Sequence, residues 1–226
     1  MYLWVIKPRR ELKFLRNRRE ITNELLSMLD SVQEQLGSDE EQNISLRLKK
    51  GERHLMDLNG VSMVEPRRAP AKYEGAHSGV SIRVAKGVHW RVGQSKARRV
   101  PQGDIMKIID TGTLHITNQR AHFSGSMQSR DWRWDKLHNH FHVMDKFYSI
   151  IHVSSRQKGS GFAHVDNERE TAIICFSIDI GIASYFDEIA GVRSNLFSER
   201  ETLEESIKKL EGEIGQESQA LSPFRD

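Results

Sequence analysis

Three histidines at alternate positions, His138, His140 and His142, carry the most chemical potential in the chain. On a β-strand, alternate residues share a face and stand about 7 Å apart. The three imidazoles would then line one side, with Asn139, Phe141 and Val143 on the other. Neutral imidazoles ligate transition metals, and His115, His122, His152 or His164 could add a further ligand. Such a site ordinarily draws a carboxylate or thiol from a second element, and the sequence marks none. The competing reading is a solvated polar strand face, which asks for less. The letters His138-Asn139-His140 also match a nuclease motif, but that chemistry needs a ββα unit with a second metal-binding element.

Other reactive residue types are dispersed. Lys86, Arg91, Lys96, Arg98 and Arg99 form a basic loop region suited to an anionic head group, or an ordinary solvated loop. Trp132 and Trp134 flank Arg133 and could stack on nucleic-acid bases, although paired tryptophans on a strand more often cover a sheet. The single cysteine, Cys175, sits in the apolar run 173–176 and reads as a buried strand residue. It leaves no intramolecular disulfide, which fits a reducing compartment. Asp131 and Asp135 are too far apart on a strand to serve as an acid/base pair. No Gly-rich phosphate loop, GxSxG or CxxC occurs. The expectation is a chain without catalytic machinery and without a cofactor.

The elements that must position these residues fall into three parts. Leucines at three- and four-residue steps predict a helix over residues 9–36, with Pro8 in its first turn and Gly37 beyond its end. A second helix is predicted over 44–58, and 65–72, with two prolines, reads as a linker. From residue 73, alternating segments predict strands at 80–84, 88–92, 105–110, 113–117, 120–124, 129–134, 138–143, 147–153, 161–165 and 171–178. A helix follows over 180–190, and another over 198–221 opens with Ser198 and Glu201 as a capping box. The domain division is 1–64 as a helical arm, 65–72 as the linker, 73–191 as a β domain with a closing helix, and 192–226 as a C-terminal helix and tail.

The terminal helices carry heptad-like seams, Leu25, Leu29, Val32 and Leu36 in one and Leu203, Ile207, Leu210 and Ile214 in the other. Residues 7–19 are basic and residues 199–217 acidic. Antiparallel pairing of the two, within one chain or across a homo-oligomer, is one expectation; two solvated helices that never meet is the other.

The hairpin carried by Gly112, Leu114, Ile116, Thr117, Asn118, Arg120 and Phe123 resembles that of bacterial pleckstrin-homology-like (PH-like) and GRAM-like domains. The resemblance spans about residues 75–191. It implies an α+β fold, a β-barrel or sandwich of seven or more antiparallel strands closed by a C-terminal helix, and bacterial or phage origin. It also implies a binding module. The spacing of Lys86, Lys96 and Arg98 formally fits the pattern by which some such domains grip inositol phosphates.

Composition agrees with a modest core plus solvated helices: 226 residues, 37% hydrophobic, 29% charged, net charge +3. No segment has the ~20 apolar residues of a membrane span, and a cytoplasmic location is expected. Function is expected to be a non-catalytic interaction or scaffolding module that binds a protein partner or itself. A peripheral binder of anionic membrane surfaces is the alternative, and nucleic acid a third.

Overall fold

The computed structural model describes residues 8–38, 46–69, 104–143, 147–165 and 167–216, together with the backbone of 3–7, 72–74, 77–85, 88–95, 98–100 and 217–220. Helix α1 (Leu3–Gly37) is followed by β1 (His54–Arg68), β2 (Lys72–Glu74), β3 (His77–Ala85), β4 (Val88–Ser95), β5 (Arg98–Val100), β6 (Asp104–Thr117), β7 (Arg120–Gly125), β8 (Ser129–Arg133), β9 (Leu137–Val143), β10 (Tyr148–Val153) and β11 (Ser160–Ala163). Helices α2 (Glu168–Phe186) and α3 (Ile189–Ala220) complete the chain. Seven strands form one antiparallel sheet in the order β8-β7-β6-β1-β11-β10-β9, while β2 pairs with β5 and β3 with β4.

The α+β class stands, but the sheet is open rather than a closed barrel. It nonetheless curls: from the edge strand β8, Trp132 Nε1 donates to Ser160 Oγ on β11 at 3.1 Å. Arg156 Nη2 reaches the Asp131 carbonyl at 3.1 Å. Trp132 and Trp134 are fully buried, so they are core and not a stacking platform for bases.

Two segments differ from their sequence expectation. Residues 54–68, assigned to the end of a helix and a linker, form the central strand β1, with Leu55, Val61, Met63 and Val64 buried. Its alternation is obscured by register shifts between Leu58 and Val61 and between Met63 and Val64, the first at Gly60, whose φ of +72° suits glycine. Pro66 is tolerated because β1 pairs with β11 only as far as Val64 and beyond it has one neighbour, β6. Residues 171–178 are not a strand but the first half of α2, capped by Asn167, whose side chain accepts from the Glu170 backbone N–H. Ile174, Phe176, Ile178, Ile180 and Ile182 are all buried. A helix covered on nearly every side loses the 3.6-residue signature.

Helix α2 lies close on the sheet at Gly181, where an added Cβ would meet Ile116 Cγ2 at 2.7 Å. It ends at Asp187 in a left-handed conformation, and α3 begins two residues later, so that Ser198 falls inside a helix instead of capping one. Helices α1 and α3 pack antiparallel within the chain, as the pairs Arg16–Glu211, Arg18–Glu199 and Arg193–Asp30 show. These exposed bridges add little energy each. The seam beneath them does more: Leu29, Val32, Leu203 and Ile207 are buried, and Leu25, Leu36, Leu210 and Ile214 partly so. Leu29→Ala is expected to cost about 2–5 kcal/mol, read as a fall in the urea midpoint with unchanged m. A loss below about 0.5 kcal/mol would show that α1 is not part of the core.

Candidate metal centre

Strand β9 is the far edge of the seven-stranded sheet, and α2 reaches it through side chains. Residues 175 and 179 are one helical turn apart and therefore share a face. That face is turned to β9. His140 Nε2 lies 2.9 Å from Asp179 Oδ1 and His142 Nε2 lies 3.1 Å from the same oxygen. The three ligand atoms sit within 4.8 Å of one another. The second element that the sequence did not mark is thus α2, which supplies a carboxylate and, beside it, a thiol.

A second group shares His142. Its Nδ1 lies 2.5 Å from Ser149 Oγ, which is also 2.6 Å from His164 Nε2. Cys175 Sγ is 3.6 Å from His164 Nε2 and 3.8 Å from Ser149 Oγ. His142, His164 and Cys175 again fall within 4.8 Å. His164 is buried, and its Nδ1 has no hydrogen-bond partner. Ser149 on β10 therefore fixes the orientation of two imidazoles, the outer-shell role that metal sites require.

The electrostatics follow from this crowding. Burial opposes charge on His142, but its hydrogen bonds to Asp179 and Cys175 and their negative charge prevail and raise its pKa to about 10. Burial likewise opposes ionisation of Cys175, yet hydrogen bonds from His142 and His164 lower it to about 6. Asp179 is partly buried, which opposes its ionisation, yet hydrogen bonds from His140 and His142 and their charge hold it below its ordinary value. Cys175 lines an open cleft, so its alkylation by iodoacetamide in metal-free protein is expected to reach half its plateau rate near pH 6. A midpoint near the ordinary thiol value of about 8.5 would contradict the thiolate–imidazolium arrangement.

The cleft has a volume of about 640 Å³ and lies between α1, α2, α3 and the sheet edge. Ile21, Leu25, Phe147 and Val165 give it apolar walls, and His142 and Cys175 form part of its lining. Glu168 and Glu199 add carboxylates, each engaged on one side, Glu168 by Asn17 and Glu199 by Arg18.

The family model for lysyl oxidase matches residues 94–165, about a third of the chain. No curated protein and no solved structure matches. The matched segment ends just past His164 and includes His140, His142 and Ser149. This overturns two expectations. The family matched is not PH-like or GRAM-like: the hairpin motif that suggested one is a generic antiparallel turn, in which Thr117 Oγ1 accepts from the Arg120 N–H and donates to Glu52. Nor can the chain be read as lacking catalytic chemistry, since the matched family is one of oxidases.

The remaining sequence candidates separate. His138 is exposed and outside both clusters, next to the 3₁₀ turn Trp134–Lys136 and an irregular register between β9 and β10. His152 stacks on Phe141. His115 bonds Asp57 together with His54, and His122 bonds Asp131. Lys86 and Lys96 lie outside the described residues, and Arg91 on β4 with Arg98 and Arg99 on β5 are described as backbone alone. Asp179 and Cys175 are the site residues that the sequence reading missed; their four-residue spacing becomes a signal once that segment is recognised as helix.

Proposed function

We propose that this chain is a metal-dependent amine oxidase whose ion is held by His140, His142 and Asp179. The observation that carries the reading is the convergence of two edge-strand imidazoles on one α2 carboxylate, inside or beside the segment matched by the lysyl oxidase model. Two nitrogens and an oxygen suit several divalent ions, and among imidazole-preferring metals copper binds most tightly. An ion that is to pass electrons to dioxygen must be redox-active, which zinc is not. Copper therefore fits both the donors and the reaction class, and when bound it supplies electron transfer to dioxygen.

The protein's own groups have separate tasks. Asp179 offsets part of the charge of a dication. Ser149 holds His142 with Nε2 toward Asp179. The apolar walls of the cleft suit the methylene chain of a lysyl-type amine, and Glu168 and Glu199 draw its ammonium group toward His142 and Cys175. The seam that suggested self-association is used within the chain, and the side chains of the basic loop lie outside the described residues. Neither observation favours a second reading.

The test is amine-dependent oxygen uptake by copper-loaded protein, with butylamine and a lysine-containing peptide as substrates. Uptake that disappears in His140→Ala/His142→Ala supports the proposal. Copper-loaded protein that consumes no oxygen with either amine overturns the oxidase assignment.

A further inference from the structure

A second cleft, of about 420 Å³, shares no lining residue with the first. It is built where the curled sheet brings the end of β1, strand β8 and the β10–β11 turn together. Arg67, Arg68, Arg130, Arg156 and Lys158 line it, with Glu65 as the one lining carboxylate.

The charges do not cancel. Glu65 is shared between Arg130 and Arg67, and Lys158 bonds Asp104 at 2.6 Å. Five cations thus face Glu65 and Asp104, and Asp131, the one further carboxylate near Arg156, is already held by Arg120 and His122, so positive charge is left in excess. Arg130 is little exposed, and burial together with the neighbouring Arg156 guanidinium lowers its pKa. Arg156 lies over the Trp132 ring, 5.5 Å from its centroid, and spends one nitrogen on the Asp131 carbonyl. Its other terminal nitrogen, Nη1, is buried without a hydrogen-bond partner. Burying a guanidinium nitrogen unsatisfied beside a second guanidinium is costly, and an anion in the cleft would relieve both.

From this we infer that the cleft binds a tetrahedral oxyanion group, a phosphate or sulfate ester, through the Arg130 and Arg156 guanidiniums with Arg67, Arg68 and Lys158 at its mouth. Two arginine forks match the several oxygens of a dianion. The excess of positive charge suits a dianion better than a single carboxylate. The site stands apart from the metal centre and does not depend on the oxidase reading.

The experiment is calorimetric titration of the full chain with inorganic pyrophosphate, orthophosphate, sulfate, a sugar phosphate and a sulfated disaccharide, at ionic strength held constant with chloride. Saturable binding by at least one of these is expected. The pair of esters against the inorganic ions tells whether the group arrives free or on an organic carrier. Arg156→Gln is expected to weaken binding about tenfold or more, the effect of one charge-assisted pair. Because Arg156 is partly buried, Arg68→Gln/Lys158→Gln, both exposed, provides a variant that should fold unaltered and should also bind at least tenfold more weakly. Exposed Arg9→Gln on α1 should bind as wild type. No binding above chloride competition, or binding unchanged in Arg68→Gln/Lys158→Gln, would overturn the inference.

Discussion

Asp179→Ala should weaken copper binding about a hundredfold or more while leaving the fold intact. Loss of an outer-shell partner alone costs 10–100-fold in metal affinity, and Asp179 is placed to be a ligand itself, within 3.1 Å of both His140 and His142 Nε2. It is half-exposed, so its removal opens no cavity in the core. The two imidazoles would remain on β9 but lose the anion that draws them together and offsets the charge of the ion. Affinity is measured by competition against a chromophoric chelator, with far-ultraviolet circular dichroism as the check on folding. An affinity within threefold of wild type would remove Asp179 from the ligand set. Asp179→Asn is the finer probe: it preserves size and an oxygen, and should fall between the two.

Arg120→Met should be among the most destabilising single substitutions in the chain, at about 3–5 kcal/mol. Glu52 has a fully buried side chain, and Arg120 Nε donates to its Oε1 at 2.7 Å. The same guanidinium bonds Asp131 at 2.9 Å and the Arg47 carbonyl at 3.1 Å, tying the segment before β1 to β7 and β8. Without the cation, Glu52 keeps the Thr117 hydroxyl and the Lys49 backbone N–H, which satisfy its oxygens but not its charge. Urea unfolding with fixed m measures the loss. Glu52→Gln combined with Arg120→Met should recover a substantial part of it, because no charge is then left stranded. A single-variant loss below about 1 kcal/mol would mean that the Glu52–Arg120 pair does not hold this part of the fold together.

How much of this was legible depends on burial geometry. The β6–β7 hairpin, β9 and β10 were readable because apolar and polar residue types alternate along them between turn residues, even though Leu114–Thr117 and Ser149–Ile151 are buried on both faces. Helix α1 was readable for the matching reason, with Leu29 and Val32 inward and charges outward. Helix α2 was not, because the sheet and the other helices cover it together and its isoleucines read as a continuous run. That misreading hid the other half of the candidate site: on a strand, Cys175 and Asp179 mean nothing to each other, while on a helix they are neighbours. Strand β1 was hidden by its bulges, by Pro66 and by its exposed, charged final residues. The imidazole pair was visible as an alternating triad. The loss of His138 from it follows from a turn and a register irregularity that depend on pairing with β10.

The most direct measurement is pulsed electron paramagnetic resonance on the chain titrated with one equivalent of Cu(II). Bound copper should show coupling to imidazole nitrogen, and His140→Ala/His142→Ala should abolish it together with tight binding. Copper that binds without imidazole coupling, or a double variant whose spectrum matches wild type, would place the ion elsewhere and contradict the metal centre on which the functional assignment rests.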